Sequence, residues 1–426
     1  METIKEKLDS VSTTDHDTAQ ATAEDQATGA KIKSGRLFKL SQIRGSKWYS
    51  ALKGILPTYI ATHVAFFITS CLSILFLHRD FDWQSDPLHR IWQSWFRWDT
   101  GHFSHIANDG YTDAWRTAFF PLHPLLIRAL KPLIHNPYIG GIVVSNVALL
   151  VLSIVLYQLV REDFDQERAD RTVLYLSVFP TAFFLVSGYN ESLFLCLVLL
   201  SFYQMRHGQW WLAGLFGFFA SLTRSAGLLL LLPFCYEYLR QREFRLKAIR
   251  LDVISMGLIP AGTGLFSLYC YLRFGDFLAF SHAQARWQRE LQLPWHGIMT
   301  SIKAIYTSTG FLSFQTLRNL LDLGPDLLVL GLIVLSLVGP WRFPRAYRAY
   351  IIYAGALYLF FNLVPAGGTK LFPLESMARF MLEVFPAFIV LATLGQYRMV
   401  HRTYLMIACA ILFFLLTQFL IGHWVL

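Results

Sequence analysis

Long apolar runs recur from Pro57 to the C-terminus, and no other feature restricts the fold as much. About 20 apolar residues in a helix cross a ~30 Å hydrocarbon layer. Inside that layer each backbone polar group needs an internal partner, which leaves helices or a closed barrel. The runs are continuous rather than alternating, which argues against a barrel. Only 15% of the 426 residues are charged, where a soluble domain carries about a quarter. Aromatic residues make up 16%, far too many for a disordered chain. The expected fold class is therefore an all-α polytopic membrane protein. Cys71, Cys196, Cys235, Cys270 and Cys409 all fall in apolar runs and read as small packing residues, not as a disulfide framework or a CxxC metal site.

Residues 1–47 are polar and poor in aromatics, so a disordered tail is expected over 1–50, followed by a single membrane domain over 51–426. No signal peptide is visible ahead of the first run. Eleven spans (within a range of 9 to 12) are expected, at about 57–77, 138–160, 171–188, 190–205, 210–223, 226–239, 251–273, 325–339, 349–364, 380–397 and 403–422. Basic residues set the orientation. Seven lie in 31–53, and others crowd the short segments around Arg161–Arg171, Arg206, Arg240–Arg250, Arg342–Arg348 and Arg398–Arg402. That places the N-terminus in the cytoplasm and makes 78–137 and 274–324 long outer segments. Residues 210–239 keep the parity only as two short helices with Thr223-Arg224-Ser225 at the outer tip. Each is about 22 Å long, a length tolerated where a helix lines a cavity rather than lipid.

The outer segment 79–120 holds five of the twelve tryptophans: Trp83, Trp92, Trp95, Trp98 and Trp115. Such a loop rests at the headgroup level, so interfacial helices are expected in it. Ile91, Trp92, Trp95, Phe96, Phe103 and Ile106 fit a helical stripe, with Asp99 set into it and His102 one turn on. A carboxylate at that boundary suits a general base that takes a proton from an acceptor hydroxyl. Asp99 could instead cap a helix or pair with Arg97. His102 alone is an ordinary packing histidine. Asp99, His102 and His105 form no HExxH pattern, and no metal is expected.

Other polar positions stand at the same level: Asn190 and Glu191 after Gly188-Tyr189, Arg224 at the hairpin tip, and Arg379 at the start of the tenth span. Charges at membrane depth are costly and mark a pathway or a site. Singly, each could be a snorkelling or salt-bridged side chain. Jointly, an acid base with arginine forks nearby suits displacement of a phosphate leaving group from a sugar. The segment Ala118–Pro124 is apolar but broken by proline and reads as an interfacial re-entrant piece, with His123 a possible cavity residue.

At these residues the sequence resembles the PIG-V mannosyltransferase family, a branch of the GT-C glycosyltransferases. The resemblance is carried by Arg97-Trp98-Asp99-Thr100-Gly101-His102-Phe103, Ala118–Arg128, Phe179–Phe184, Asn190–Phe194, Trp210–Gly214 with Thr223–Ser225, and Ser376–Phe380 with Phe385–Ala387. It covers about 90–400, more weakly at 275–345. It implies a GT-C fold and transfer of mannose, or a related hexose, from a polyprenyl- or dolichyl-phosphate donor to a lipid or glycan acceptor. Asp99 takes the place of the base, with His102 beside it. Trp98, His123, Asn190, Glu191, Arg224 and Arg379 are the expected substrate-binding residues. No cofactor and no nucleic acid are implied. The family pattern has an aromatic at position 123 and Thr or Ser at 190. These departures, with the shorter chain, point to another acceptor than that of the GPI enzymes and to a bacterial plasma membrane, or to the ER in a eukaryote. A lipid-linked sugar flippase would need internal repeats and a midplane site, and neither is visible. An oligosaccharide ligase on the same scaffold stays open, as do the sugar, the acceptor and the oligomeric state.

Overall fold

The computed structural model describes residues 46–77, 87–365 and 371–423. The expected tail over 1–50 lies outside them except for its last five residues, and Trp83 lies outside them too. The chain divides into two units, 1–54 and 55–426. The described part of the first is Ser46 and the opening turns of a helix that runs Lys47–Leu77. The second is built from helices and connecting turns.

Five helices are long and apolar enough to cross a bilayer: Lys47–Leu75, Pro137–Asp163, Leu251–Phe274, Phe314–Leu337 and Arg398–Leu420. A sixth exists if Met377–Glu383 and Phe385–Leu394, bent by 82°, count as one span. The other expected spans coincide with shorter or broken helices, so the described residues do not supply eleven full-length ones. The break after Gln166–Ser177 falls at Phe179-Pro180 and the turn Ala182–Leu185, where proline cannot continue the ladder. The bend near Val384 likewise precedes Pro386. The pair expected over 210–239 is present: Trp210–Thr223 ends at Arg224, which is extended, and Ser225–Leu230 leads into Leu231–Gln241.

Local chemistry explains several ends. Asn136 caps Pro137–Asp163 by accepting from the Tyr138 and Ile139 amides at 2.9 and 3.4 Å. Asp165 and Ser313 cap their helices in the same way. Between the first and second long helices lie Pro87–Ser94, Asp99–Asp109, the turn Ala114–Ala118 and Leu122–Leu130, as the tryptophan-rich outer segment predicts. One expectation is corrected here. Asp99 does not sit within a continuous stripe: the helix breaks at Trp95–Trp98, and Asp99 is the first residue of the next one.

The helix Glu191–Arg206 carries a charged cluster at each end, about 22 Å apart at 1.5 Å per residue. At its C-terminal end Arg206 binds Asp163 at 2.8 Å and Glu237 at 3.2 Å, and Tyr350 donates to Asp163 at 2.6 Å. Arg206 also donates to the Ala346 carbonyl, and Tyr236 to that of Arg345. The segments around 161, 206, 240 and 345, assigned to one side from their basic residues, thus meet at one end. The other end, at Asn190 and Glu191, opens on the candidate site.

Candidate functional site

A cavity of about 510 Å³ is walled by residues far apart in sequence: Asp99 and Phe103; Ala118–Phe120; Asn190; Thr223–Ser225; Phe280 to Arg289; Phe360 and Val364; Glu375, Ser376, Arg379 and Phe380. Its centre is an ion-pair network. Arg379 donates through Nη2 to Asp99 Oδ2 at 2.8 Å and through Nε to Glu191 Oε1 at 2.5 Å. Arg224 Nη1 reaches the same Glu191 oxygen at 2.9 Å and Asn190 Oδ1 at 3.2 Å. Glu383 Oε1 lies 2.9 Å from Arg224 Nη1, a charge contact without hydrogen-bond alignment. Glu191 and Glu383 are wholly buried, whereas Asp99 keeps 21% of its side chain exposed. Of the three carboxylates in this network the one at the cavity surface is therefore Asp99, and Glu191 lies behind it as a brace between two guanidiniums.

Each part is held by its local chain. Gly188 has φ +79°, and a Cβ there would meet Thr100 Cγ2 at 3.2 Å and the Ile142 amide at 3.3 Å. Only glycine suits that turn, which delivers Tyr189, Asn190 and Glu191 to the site. Asn190 also donates to the Thr223 carbonyl at 3.0 Å, tying the two chain breaks together. The peptide before Arg379 is gripped from both sides. The Ala378 amide donates to Asp322 Oδ1 at 3.2 Å, and its carbonyl accepts from Thr181 Oγ1 at 3.0 Å. Tyr189 and Phe184 face the Arg379 guanidinium at 4.5 and 5.0 Å from their ring centres.

Backbone strain gathers here. The described residues include five non-glycine residues with positive φ. Three adjoin the cavity charges: Trp98 (φ 43°) before Asp99, Gln288 (φ 50°) before Arg289, and Ser376 (φ 66°) three residues before Arg379. Such conformations each cost of order 1–3 kcal/mol and gather where geometry is enforced for function.

Asp99, Asn190, Arg224 and Arg379 come together on the cavity wall. Trp98, His102, His123 and Glu191 do not form part of it. Trp98 packs its ring on Phe419 at 5.2 Å. His102 lies against Trp115 and Phe119 at 5.3 and 4.8 Å. Burial holds His102 below the ordinary imidazole range, and the Asp99 charge opposes that only in part. His123 is wholly buried, its Nε2 bonded to the Gly188 carbonyl at 3.1 Å. Burial pulls it down to about 4, against a partial gain from that bond.

Sequence reading missed Glu383 and Arg289. Glu383 was accessible by the criterion that found Arg224, a lone charge in an apolar run. Arg289 carried no such signal, because it sits in a polar stretch with Arg286 and Glu290. Its Nε is buried without a hydrogen-bond partner. Burial, with the nearby Arg224 and Arg379 charges, lowers its pKa to about 10.

Apolar helices of spanning length and a buried charged cavity define an integral, multi-pass membrane protein. The model of the PIG-V mannosyltransferase family matches residues 84–393, most of the chain, and the protein belongs to that family. It is similar to GPI mannosyltransferase 2 of Schizosaccharomyces pombe, 24% identical over 269 residues, 61% of this chain and 57% of that one. It is also similar to GPI mannosyltransferase 2 of Yarrowia lipolytica, 26% identical over 233 residues, 54% and 60% of the two chains. The matches thus span under two thirds of these relatives. Among solved structures, ArnT from Cupriavidus metallidurans bound to undecaprenyl phosphate aligns over 72% of this chain and 58% of its own, at 17% identity and a TM-score of 0.47.

Proposed function

We propose that this protein is a GT-C glycosyltransferase that moves a mannose, or a related hexose, from a polyprenyl-phosphate carrier to a hydroxyl of a glycan or glycolipid. The observation that carries this reading is the Asp99 carboxylate on the cavity wall, oriented by Arg379 at 2.8 Å. Family membership and the GPI mannosyltransferase relatives support the sugar and the lipid-linked donor. Arg379 engages only Oδ2, and no hydrogen bond among the described residues engages Oδ1, which is then available to the acceptor.

In the proposed step the acceptor oxygen attacks the anomeric carbon and its proton passes to Asp99. The new carbon–oxygen bond forms as the bond to the carrier phosphate breaks, and the phosphate leaves with the electron pair. The sugar passes through a state with oxocarbenium character. Charge grows on the departing phosphate, and the guanidinium side of the cavity stabilises it. The three central carboxylates already lie against guanidiniums, which supports a reaction run without a divalent metal. The basic residues gathered at the far end of Glu191–Arg206 favour a cytoplasmic N-terminus and a cavity on the extracytoplasmic side, in a bacterial plasma membrane or in the ER of a eukaryote.

The test uses membranes holding the full chain and labelled polyprenyl-phosphate mannose. The parent transfers label to lipid or glycan, and Asp99→Asn, present at equal abundance, loses about 10²–10⁴ in rate. More than a third of the activity retained in that variant would refute the assignment.

A further inference from the structure

The cavity holds guanidiniums in two different states. Arg224 and Arg379 are tied to Asp99, Glu191 and Glu383. Pulling either away would leave a buried carboxylate unpaired, which is strongly unfavourable. Arg289 takes part in none of these pairs. Its guanidinium lies on the Phe380 ring at 5.1 Å, its Nε is buried and unbonded, and it lines the same cavity. Arg224 faces the same ring at 5.4 Å, so two cations share Phe380.

Among the described residues no carboxylate forms an ion pair with Arg289, and the more distant Asp99 and Glu383 offset its charge only in part, yet the backbone is strained to present it. Gln288 is left-handed at φ 50° directly before Arg289. The segment is pinned beyond it, where the Gln292 amide donates to the Leu363 carbonyl at 2.8 Å. Apolar side chains of Phe280, Phe360 and Val364 line the cavity as well. A fork with no ion-paired acid among the described residues, beside an apolar wall, fits a phosphate that carries a hydrocarbon chain.

We infer that Arg289 is the primary ligand of the donor's phosphate, while Arg379 acts as the positioning residue of Asp99 and Arg224 as a structural tie. This rests on the transferase reading above and assigns its charges differently from the sequence, which put the phosphate on Arg224 and Arg379. Like charges on Arg224, Arg379 and Arg289 repel, and an arriving phosphate relieves that repulsion. After transfer the same fork holds the spent carrier, so it governs carrier affinity more than proton transfer.

The experiment measures equilibrium binding of radiolabelled undecaprenyl phosphate to the purified full chain in detergent, with inorganic phosphate in parallel. Arg289→Gln should weaken carrier binding about 10- to 100-fold, the worth of a hydrogen bond to a charged group. Arg289→Lys should lie between Gln and the parent, because it keeps the charge and loses the fork. Asp99→Asn, which removes a negative charge from the same cavity, should bind the carrier no more weakly than the parent does. Inorganic phosphate should bind far more weakly than the carrier. Carrier binding by Arg289→Gln within twofold of the parent overturns the inference, and so does equal affinity for carrier and inorganic phosphate. If Arg289→Gln unfolds, Arg289→Lys decides, and parental binding in that variant counts against the fork. A parent chain that neither binds the carrier nor accepts sugar from it overturns the transferase reading itself, a different outcome from an intact transferase indifferent to Arg289.

Discussion

Arg379 holds the Asp99 carboxylate at 2.8 Å across 280 residues of sequence, and the same guanidinium reaches Glu191 through Nε. One planar fork thus fixes both the acid at the cavity surface and the acid behind it. An ammonium is a point charge and cannot hold that geometry. Arg379→Lys is therefore expected to lower kcat by 10-fold or more, with a smaller change in donor KM. Steady-state kinetics on membranes of matched abundance check this. A variant with normal kcat and a raised KM would return Arg379 to the role of phosphate ligand.

Glu191 gives the complementary case. It is wholly buried between two arginines. Glu191→Gln removes the carboxylate the two guanidiniums share and leaves them only Asp99 and Glu383, at a cost of up to about 3–5 kcal/mol, the figure for a buried charge left without its partner. The expected outcome is loss of folded protein, read as membrane abundance and as a fall in thermal midpoint. Asp99→Asn, at a partly exposed site, should keep both near the parent.

The sequence made the class and the key acid legible for physical reasons. Continuous apolar runs demand helices in lipid, and charges inside those runs are too costly to be incidental. That logic found Arg224 and Arg379, while the tryptophan-rich outer segment pointed to Asp99 and the polar step after Gly188-Tyr189 to Asn190, and all four are on the cavity wall. It failed where side-chain direction decides. His123 and Trp98 lie beside site residues in sequence, yet both turn into packing. Glu191 follows Asn190 directly but points inward. Arg289 was illegible because a polar loop gives each charge the same prior, and only the left-handed turn at Gln288 marks it. The segments expected over 171–188 and 380–397 are broken rather than continuous, because Pro180 and Pro386 interrupt apolar runs that periodicity alone treats as single helices.

Asp322 lies in the long helix Phe314–Leu337, pairs with Arg318 at 2.9 Å and receives the Ala378 amide. Both charges are nearly buried. Asp322→Leu should destabilise by leaving Arg318 unpaired, and adding Arg318→Met should restore much of the thermal midpoint. The double variant should nevertheless stay several-fold slower than the parent, because the peptide before Arg379 has lost its acceptor. Full recovery of both midpoint and rate would show that the pair does not position Arg379.

Gly188 tests the turn that feeds the site. Gly188→Ala places a Cβ at φ +79° against Thr100 Cγ2 and the Ile142 amide. The left-handed conformation alone costs about 1–2 kcal/mol for an L-residue. A lower thermal midpoint and a lower rate should appear together. An unchanged midpoint would mean that the turn flips without consequence.

His123 predicts an acid limit on stability. Its ring packs on Phe103 at 4.7 Å and bonds the Gly188 carbonyl, and burial holds its pKa down at about 4 against 6.5 for a free imidazole. Between those values the unfolded chain binds a proton that the folded chain refuses, so stability falls as pH drops from about 6.5 towards 4 and is constant above. The shift corresponds to about 3 kcal/mol at the acid end. Thermal midpoints of the parent should therefore decline over that window more steeply than those of His123→Gln, which has no proton to gain. At pH 8 the variant should be the less stable of the two, since its amide fits the Gly188 carbonyl and the Phe103 face less well. Parallel pH profiles for the two proteins would show that His123 takes up its proton as easily in the fold as in the unfolded chain, which its single carbonyl partner and buried, unbonded Nδ1 argue against.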